Sequence, residues 1–316
     1  MSKRTYILLL AILAIAGCGQ KKAERFIALP FPDITLPSMI QDQQDAADYY
    51  AEHCWDNITS ADRNYPSDSI LVSGVRIDDV EDRFADWLYV LDQTDLKMVE
   101  KAIKRLYDRS LACERKDSSS NVFETFADLA DKYLYDVNSP YRNEEYYLYY
   151  VSLLASYEGC IPEEKAKYMH IAEQCSLNRL GKPAADFVFS DKYGKMHSLH
   201  GIKGTYTLLF FSNPGCEACL NIINMLKQEP KVSEMIDRGD LAVLNIYIDE
   251  DLQGWKDYMP IYPDNWYNGF DPNLVIRGEG LYSVRAIPSL YLLDKEKGVI
   301  LKDAPENRLL SYLVNL

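Results

Sequence analysis

The sequence predicts a two-domain protein, in which an all-α helical domain at residues 38–178 precedes an α/β domain at residues 181–316. The chain has 316 residues, which is longer than most single hydrophobic cores and suits two domains. Up to about residue 178, apolar residues recur at the three- and four-residue spacing of amphipathic helices. After Gly181, short apolar runs alternate with turn residues and helical segments, which is the pattern of an α/β layer fold.

The N-terminus differs from the rest of the chain. Lys3 and Arg4 precede an apolar run, "YILLLAILAIA", that is too short to span a bilayer comfortably. It leads to "IAGC", which resembles the lipobox of bacterial lipoproteins, where the signal is cut before a cysteine that then receives lipid. Residues 1–17 are therefore interpreted as a lipoprotein signal peptide, Cys18 as the lipidation site and residues 18–37 as a tether. The alternative is an ordinary signal peptide in which Cys18 has no role.

Composition and charge indicate the cellular compartment of the protein and exclude one class of partner. The signal and the cysteine content indicate an oxidising, extracytoplasmic compartment, with the protein anchored by lipid to a bacterial membrane and facing the periplasm. The chain carries 34 Lys+Arg against 48 Asp+Glu, a formal net charge of −14, without a compensating basic stripe. This balance excludes nucleic acid as an expected partner.

Six segments of the first domain combine helical periodicity with start signals. Asp and Asn stand at several predicted N-termini, and Pro162 occupies a first-turn position ahead of two glutamates. The predicted helices are Asp42–Ile58, Asp78–Asp92, Asp95–Arg115, Asn121–Asp136, Asn143–Glu158 and Pro162–Leu177. The fifth helix is rich in tyrosine, and these residues are interpreted as core residues rather than as a ligand-stacking surface: Tyr146, Tyr147, Tyr149 and Tyr150.

The second domain shows the strands expected of an α/β fold. The first four predicted strands are Phe187–Ser190, Lys195–Ser198, Tyr206–Phe211 and Leu241–Ile248. The third of these is fully apolar and leads into a helix that starts at a pair of cysteines. Residues 287–303 predict a strand, a turn and a second strand, and residues 306–316 predict a closing amphipathic helix.

Cys216 and Cys219 form a Cys-x-x-Cys motif, which allows three interpretations: a redox couple, half of a metal site or a structural disulfide. A tetrahedral zinc site needs two further ligands, and the sequence has no second Cys-x-x-Cys motif, so no metal is expected. The placement favours redox chemistry. Cys216 falls in the first turn of a helix, where free N–H groups and the helix dipole stabilise a thiolate, and Cys219 is placed one turn later to resolve a mixed disulfide.

From about residue 181 to the C-terminus, the chain resembles the thioredoxin-like family, specifically the membrane-tethered extracytoplasmic thiol–disulfide oxidoreductases of the ResA and TlpA type. The segments "GKPAADF" and "GKMHSLHGIKGTYTLLFF", the Cys-x-x-Cys motif and "VRAIPSLYLLD" occur in the family's order. The resemblance implies a thioredoxin-like fold and a redox-active disulfide, Cys216–Cys219, with no other cofactor. It also implies that Pro288 is the family's cis-proline and that Ile287 and Pro288 bind the extended chain of a substrate. The implied partners are extracytoplasmic protein thiols and disulfides and an upstream electron donor.

The chain departs from this family near the cysteines. Gly215 stands where members often carry Trp, and Glu217 follows the first cysteine. A carboxylate beside the nucleophile opposes thiolate formation, so Glu217 is expected to tune the redox pair. The strand at residues 208–211 lacks the buried acid that many relatives place there, so no general base is assigned. A peroxiredoxin is disfavoured, because its signature requires a threonine and a proline where this chain has Asn213 and Leu209.

The helical domain, especially "LPFPDITLPSMIQDQQDAADYYAEHCWDNI", resembles an uncharacterised helical domain found ahead of thioredoxin-like domains in some bacterial lipoproteins. That resemblance implies no chemistry, and the domain is interpreted as a spacer or a partner-docking unit. The sequence thus predicts a lipid-anchored thiol–disulfide oxidoreductase that reduces or exchanges disulfides of extracytoplasmic partner proteins. The alternative is a binding or scaffold lipoprotein whose helical domain docks a partner and whose Cys-x-x-Cys pair is a structural disulfide.

Four further cysteines belong to the helical domain: Cys54, Cys113, Cys160 and Cys175. Cys160 and Cys175 should not be bonded, because a helix about 18 Å long separates them at a rise of ~1.5 Å per residue. Alternating helix directions with short loops would bring the ends of the third and fifth helices together, so Cys113–Cys160 is the predicted bridge. The alternative is that all four thiols are free and buried.

Overall fold

The structure of the protein, a computed structural model, describes residues 27–60, 62–63, 65 and 70–316. The predicted signal peptide, Cys18 and the start of the predicted tether lie outside these residues. No helix within the described ranges is both long enough and apolar enough to cross a membrane.

Six α-helices make up most of the described part of the first domain, as the periodicity predicts. They are α1 (Gln43–His53), α2 (Ile77–Leu91), α3 (Leu96–Lys116), α4 (Val122–Ala130), α5 (Glu144–Ala155) and α6 (Pro162–Ser176). Asp42, Asp95 and Asn143 cap α1, α3 and α5 by accepting hydrogen bonds from first-turn N–H groups, which otherwise lack helical partners. A π-helical turn, Asp131–Tyr135, follows α4 directly.

A short hairpin, which the sequence analysis missed, packs beside the segment that leads into α1. Its strands are β1 (Leu71–Val72) and β2 (Val75–Arg76), joined by a turn in which Gly74 has a φ of 84°. The N–H of Leu29 donates to the carbonyl of Gly74 at 2.8 Å. The side chain of Asp33 pairs with Arg83 of α2 at 2.9 Å. The described part of the predicted tether therefore lies against the helical domain.

Aromatic side chains fill the core of the helical domain. The ring of Trp55 packs against Phe84, Trp87 and Phe126, with centroids 6.0, 5.8 and 4.8 Å away. Such contacts stabilise a core through both buried area and ring geometry. Three tyrosines of α5 are buried in the same core, as the sequence predicts: Tyr146, Tyr147 and Tyr150.

Residues 180–316, all of which are described, form a seven-stranded mixed sheet with its helices. The strands are β3 (Val188–Asp191), β4 (Met196–Ser198), β5 (Tyr206–Phe211), β6 (Leu241–Tyr247), β7 (Tyr267–Phe270), β8 (Ser289–Leu293) and β9 (Val299–Leu301). The helices are α7 (Glu217–Gln228), α8 (Pro230–Asp237), α9 (Leu252–Tyr258), α10 (Val275–Gly278) and α11 (Glu306–Val314). The sequence analysis identified neither β7 nor α8.

The strand order is β4-β3-β7-β6-β5-β8-β9, with β5, β6 and β7 parallel and the other pairings antiparallel. Side chains of β5 alternate between two cores, as the pleat requires. Leu208 and Phe210 pack with α7, α8 and α11, whereas Leu209 and Phe211 pack on the opposite face with Ile276 of α10. The helical domain followed by a thioredoxin-like α/β sheet confirms the predicted fold class.

The two domains meet across buried polar contacts. Lys302, just after β9, donates its Nζ to the carbonyls of Cys175 and Leu177 at the C-terminal end of α6, both at 2.6 Å. Arg142, just before α5, donates its Nε to the carbonyl of Asp303 at 2.9 Å. These cations satisfy main-chain carbonyls at the ends of elements, so each fixes one domain against the other.

The predicted Cys113–Cys160 disulfide is wrong. The cysteines of the helical domain are all free, namely Cys54, Cys113, Cys160 and Cys175. Cys113 lies on the face of α3 that meets the segment after α1, where its Sγ donates to the carbonyl of Thr59 at 3.2 Å. The face of α3 toward α5 carries Tyr107 instead, whose hydroxyl donates to the carbonyl of Leu153 at 3.1 Å. The third and fifth helices do end near each other, but the rotation of α3 turns Cys113 away from Cys160.

Candidate redox site

The two cysteines lie where β5 gives way to α7. After Phe211 the chain turns at Gly215, whose φ is 73°, and Cys216 is the N-cap residue of α7. Cys216 and Cys219 form a disulfide, with their Cα atoms 5.2 Å apart. The N–H of Cys219 donates to the Sγ of Cys216 at 3.1 Å. The first sulfur therefore sits at the end of the helix that favours a negative charge.

The two cysteines differ in their access to solvent. Cys216 is half-buried, whereas Cys219 is 2% exposed. Glu217 lies between them in the first turn of α7 and is exposed. An external thiol or disulfide can therefore approach the pair at Cys216, while Cys219 is shielded inside the domain.

Ile287 and Pro288 reach the same edge of the sheet as the cysteines. Ser289, the first residue of β8, pairs with Phe211, the last residue of β5. Because β8 runs antiparallel to β5, the residues just before β8 lie beside the loop that follows β5. Ile287 and Cys216 both pack against the hydrophobic cluster that contains Cys219. The Ile287–Pro288 peptide bond is cis, and both residues are half-exposed.

A set of side chains that the sequence analysis missed supports the loop before Cys216. Asn213 donates its Nδ2 to Asp249 Oδ2 at 2.7 Å, and Asp249 pairs with Arg277 at 2.9 Å. The N–H of Cys216 donates to the Asn213 carbonyl at 3.3 Å. Asn213 and Asp249 follow β5 and β6, and the carboxyl ends of parallel strands share one edge. Their position after two buried strands was the signal that could have located them.

The buried polar side chains behind the cysteine loop are neutral. Ser212, Asn245 and Tyr262 are all buried. Ser212 donates its hydroxyl hydrogen to Asn245 and lies 3.5 Å from the Tyr262 hydroxyl. Burial raises the pKa of Tyr262, so its hydroxyl stays protonated at neutral pH. Residues 208–211 of β5 are apolar, and Ser212, Asn245 and Tyr262 are uncharged. These residues therefore place no carboxylate on the side of β5 that faces α7.

Charged side chains that are largely buried lie around Pro288. The hydroxyl of Ser289 donates to Asp303 Oδ1 at 2.7 Å. Arg285, three residues before Pro288, pairs through its Nε with Glu144 of α5 at 3.0 Å. Burial, and after it the neighbouring Glu144 carboxylate, raise the pKa of Asp303 to about 6. No pattern in the sequence distinguishes these residues from ordinary surface charges.

The histidines of the second domain make contacts within the protein. His197 Nε2 lies 3.1 Å from Asp191 Oδ2, and His200 Nε2 lies 2.8 Å from the carbonyl of Ala184. In the part of the chain that the structure describes, no group of three or more Cys, His, Asp or Glu residues is arranged to hold a metal ion.

Comparison with known proteins identifies relatives of both domains. The family described as domain of unknown function DUF5106 matches residues 16–178. A crystal structure of a thioredoxin-like protein from Bacteroides caccae is 35% identical, with a TM-score of 0.78, and covers 92% of this chain and 99% of its own. The C-terminal domain of an uncharacterized protein from Bacteroides fragilis is 44% identical, with a TM-score of 0.42, and covers 43% of this chain and 98% of its own. The thioredoxin domain of a thiol-disulfide oxidoreductase from Bacteroides vulgatus is 20% identical, with a TM-score of 0.37, and covers 43% of this chain and 98% of its own. No curated protein matches the chain.

The Bacteroides caccae structure spans both domains of this chain, so the same two-domain arrangement occurs in a second protein. The thioredoxin-like resemblance seen in the second half of the sequence is confirmed by that match. The family match ends at residue 178, and the first strand of the sheet begins ten residues later, at Val188. The chain belongs to the family of proteins that carry a DUF5106 domain, and it joins that domain to a thioredoxin-like fold.

Proposed function

We propose that the protein is a thiol–disulfide oxidoreductase that reduces or exchanges disulfides of extracytoplasmic proteins through Cys216 and Cys219. The observation that carries this proposal is the unequal access to the two bonded cysteines. Cys216 is half-buried at the start of α7, and Cys219 is 2% exposed behind it. A structural disulfide needs no such asymmetry, whereas stepwise exchange does.

The proposed reaction runs in two exchange steps. The Cys216 thiolate attacks one sulfur of a partner disulfide, forming a mixed disulfide and expelling the partner's other sulfur as a thiolate, which takes up a proton. Cys219 then gives up its proton and attacks Cys216 Sγ, which forms the Cys216–Cys219 bond and releases the second partner thiol. Two electrons thus pass from the cysteine pair to the partner, and a dithiol donor returns the pair to its reduced form.

Other residues have supporting roles in this proposal. Ile287 and Pro288 bind the extended chain of the partner, and their half-exposed position beside the cysteine loop supports that role. Glu217 tunes the pair, since an exposed carboxylate next to Cys216 disfavours a second negative charge. The disulfide itself is the redox group, and the chemistry requires no other cofactor.

We also propose that lipid on Cys18 anchors the protein on the extracytoplasmic side of a bacterial membrane. The support is the sequence "IAGC" at the end of the apolar run. Two acyl signals suffice for stable anchoring, whereas a single chain binds only weakly. Replacing Cys18 with Ala should abolish the incorporation of a labelled fatty acid that wild type is expected to show. Equal labelling of the two proteins, or no labelling of wild type, would contradict the anchor.

Trapping with single-cysteine variants tests the proposed exchange. Pre-reduced Cys219→Ser should accumulate a mixed disulfide with a disulfide-bonded polypeptide such as insulin, because the sulfur that resolves the complex is missing. Cys216→Ser should form none, because the remaining thiol is buried. Trapping in the opposite order would contradict the assignment of the two roles.

The reduction potential separates the proposal from the alternative of a scaffold protein with a structural disulfide. A structural disulfide is expected to lie below about −300 mV, whereas exchange-active pairs lie higher. Equilibration with glutathione or dithiothreitol buffers, followed by alkylation of free thiols, measures this value. A potential below about −300 mV would favour the scaffold interpretation.

A further inference from the structure

Arg285 connects the loop before Pro288 to the helical domain. Its Nε donates to Glu144 Oε1 at 3.0 Å, and its Nη1 donates to the carbonyl of Tyr135 at 2.5 Å. Its guanidinium carbon lies 3.9 Å from the centroid of the Tyr135 ring. An ion pair, a main-chain hydrogen bond and a cation–π contact therefore hold a single side chain.

The other side of Pro288 is fixed by the same group of charges. The hydroxyl of Ser289 donates to Asp303 Oδ1, and Asp303 Oδ2 lies 3.6 Å from Arg142 and 3.7 Å from Arg285. The side chains of Arg142 and Arg285 are 11% and 17% exposed. Contacts on both sides thus restrain the short segment that contains Ile287 and Pro288.

This restraint matters because the segment has no regular structure of its own. Residues 284–288 lie between α10 and β8, outside any helix or strand. Loops without such support are the parts of a fold that open most readily. A loop that already has its bound conformation loses less entropy when a partner docks, and so binds more tightly.

We propose that Glu144 of the helical domain is a positioning residue, which acts through Arg285 to hold Ile287 and Pro288 in the orientation that receives a partner peptide. The inference rests on the proposed function, in that Ile287 and Pro288 are taken as the partner-binding segment. It gives the DUF5106 domain a part in substrate recognition, because Glu144 and Tyr135 both lie within residues 16–178, which match that domain.

A neighbouring residue provides a matched control for a purely structural role. Glu145 follows Glu144 in α5 and is equally buried, at 2% exposed. It accepts from the Nε of Arg179 at 2.9 Å, in the segment between α6 and β3, and so pairs away from the Pro288 loop. Glu144→Gln and Glu145→Gln each remove one buried carboxylate from α5, but only the first weakens the support of the partner-binding segment. Glu144 also pairs with the buried Lys302 at 3.0 Å, whereas the partner of Glu145, Arg179, is 40% exposed.

The test measures the single-turnover reaction of the pre-reduced full chain with two probes. Insulin is a disulfide-bonded polypeptide, whereas dithiobis(nitrobenzoate) is a small disulfide without a peptide backbone. Glu144→Gln should raise the insulin concentration that gives half the limiting rate by about tenfold, the change that corresponds to about 1.4 kcal/mol. Its reaction with the small disulfide should stay within about twofold of wild type, because that probe needs no peptide pairing. Glu145→Gln should match wild type with both probes.

Equal insulin kinetics in the two variants, or an equal loss with both probes in Glu144→Gln, would overturn the inference. If Glu144→Gln does not fold, Arg285→Lys replaces it, since an ammonium cannot reproduce the planar contacts of the guanidinium. Its expected effect has the same direction with insulin.

Hydrogen exchange of the amides in residues 284–291 keeps the two proposals distinguishable. If wild type reacts with neither probe, the proposed function fails. Amide hydrogen exchange of these residues that is faster in Glu144→Gln than in Glu145→Gln would still support the positioning role. Equal exchange in the two variants would refute that role even if the enzyme is active.

Discussion

Replacing Lys302 with Met is predicted to destabilise the protein by about 3–5 kcal/mol, the usual cost of removing one partner of a buried ion pair. The side chain of Lys302 is 2% exposed, and its Nζ lies 3.0 Å from Glu144 Oε2. It also donates hydrogen bonds of 2.6 Å to the carbonyls of Cys175 and Leu177. Met has a similar length but no donor, so the substitution leaves the carboxylate oxygen and both carbonyls without this partner.

The predicted change in the free energy of unfolding depends on which contacts remain after Lys302 is replaced. Glu144 keeps its contact with Arg285 through Oε1, so the carboxylate is not fully isolated. A hydrogen bond to a charged group typically contributes about 1.5–3 kcal/mol. The two hydrogen bonds and the ion pair of Lys302 cannot simply be summed, because neighbouring interactions are not additive. The predicted loss is therefore smaller than the sum of two separate hydrogen bonds and an ion pair.

Urea unfolding of wild type, Lys302→Met and Arg308→Met measures the difference. Arg308 also joins the two domains, through Asp92 at 3.1 Å, but these side chains are 35% and 38% exposed. Exposed pairs contribute at most about 1 kcal/mol, and Tyr146 continues to donate to Asp92 at 2.9 Å. The free energy of unfolding should fall more in Lys302→Met than in Arg308→Met. An equal or smaller fall in Lys302→Met, at an unchanged m-value, would refute the reasoning from burial.

Three further predictions concern other parts of the second domain. The pKa of Asp303 is raised from 3.8 to about 6, so the folded state holds this proton more tightly than the unfolded state does. The free energy of unfolding of wild type, relative to that of Asp303→Asn, should therefore fall by about 1–3 kcal/mol as the pH rises from about 4 to about 6. Urea unfolding at several pH values measures this difference, and a difference that does not change with pH would contradict the prediction. Gly269→Ala should cost about 1–3 kcal/mol in thermal or urea unfolding, because the added Cβ overlaps the ring of Phe189, and an unchanged midpoint would show that the ring moves freely. Glu217→Gln should lower the pKa of the Cys216 thiol and raise the reduction potential by about 5–20 mV, and a potential that falls in glutathione buffers would count against the tuning role.

The helices of the first domain were predictable because their signals are local. Asp42, Asp95 and Asn143 each cap the first turn that follows them, and Pro162 begins α6 where the sequence analysis placed it. The strand β5 is equally clear, since its last four residues form a continuous apolar run and five of its six residues are buried. In each case the residues that determine the element lie within it or next to it.

The missed strand β7 depends on partners that are distant in sequence. Tyr267–Phe270 contains Asn and Gly, which rarely favour strands, but it pairs with β6 on one side and β3 on the other. Gly269 is required there because a side chain would overlap Phe189. The neighbouring strands therefore override the local preference of these four residues. The predicted Cys113–Cys160 bridge failed for a related reason, since the rotation of a helix about its axis is set by packing that lies outside it.

In the candidate site, too, some residues could be located from nearby sequence, whereas others depend on contacts between distant parts of the chain. Cys216, Cys219 and Pro288 were located from motif spacing and family resemblance, whereas the pairing of Glu144 with Arg285 joins residues 141 positions apart. In the sequence, a glutamate directly after the Asn143 cap is typical of a solvated first helical turn, where it complements the helix dipole. Once the second domain covers that turn, the same carboxylate becomes buried and must be neutralised, because an unpaired buried charge is costly. Two cations pair with it, Lys302 and Arg285, and Arg285 comes from the loop that leads to Pro288. The requirement to pair Glu144 thus couples the stability of the domain interface to the position of the proposed partner-binding segment.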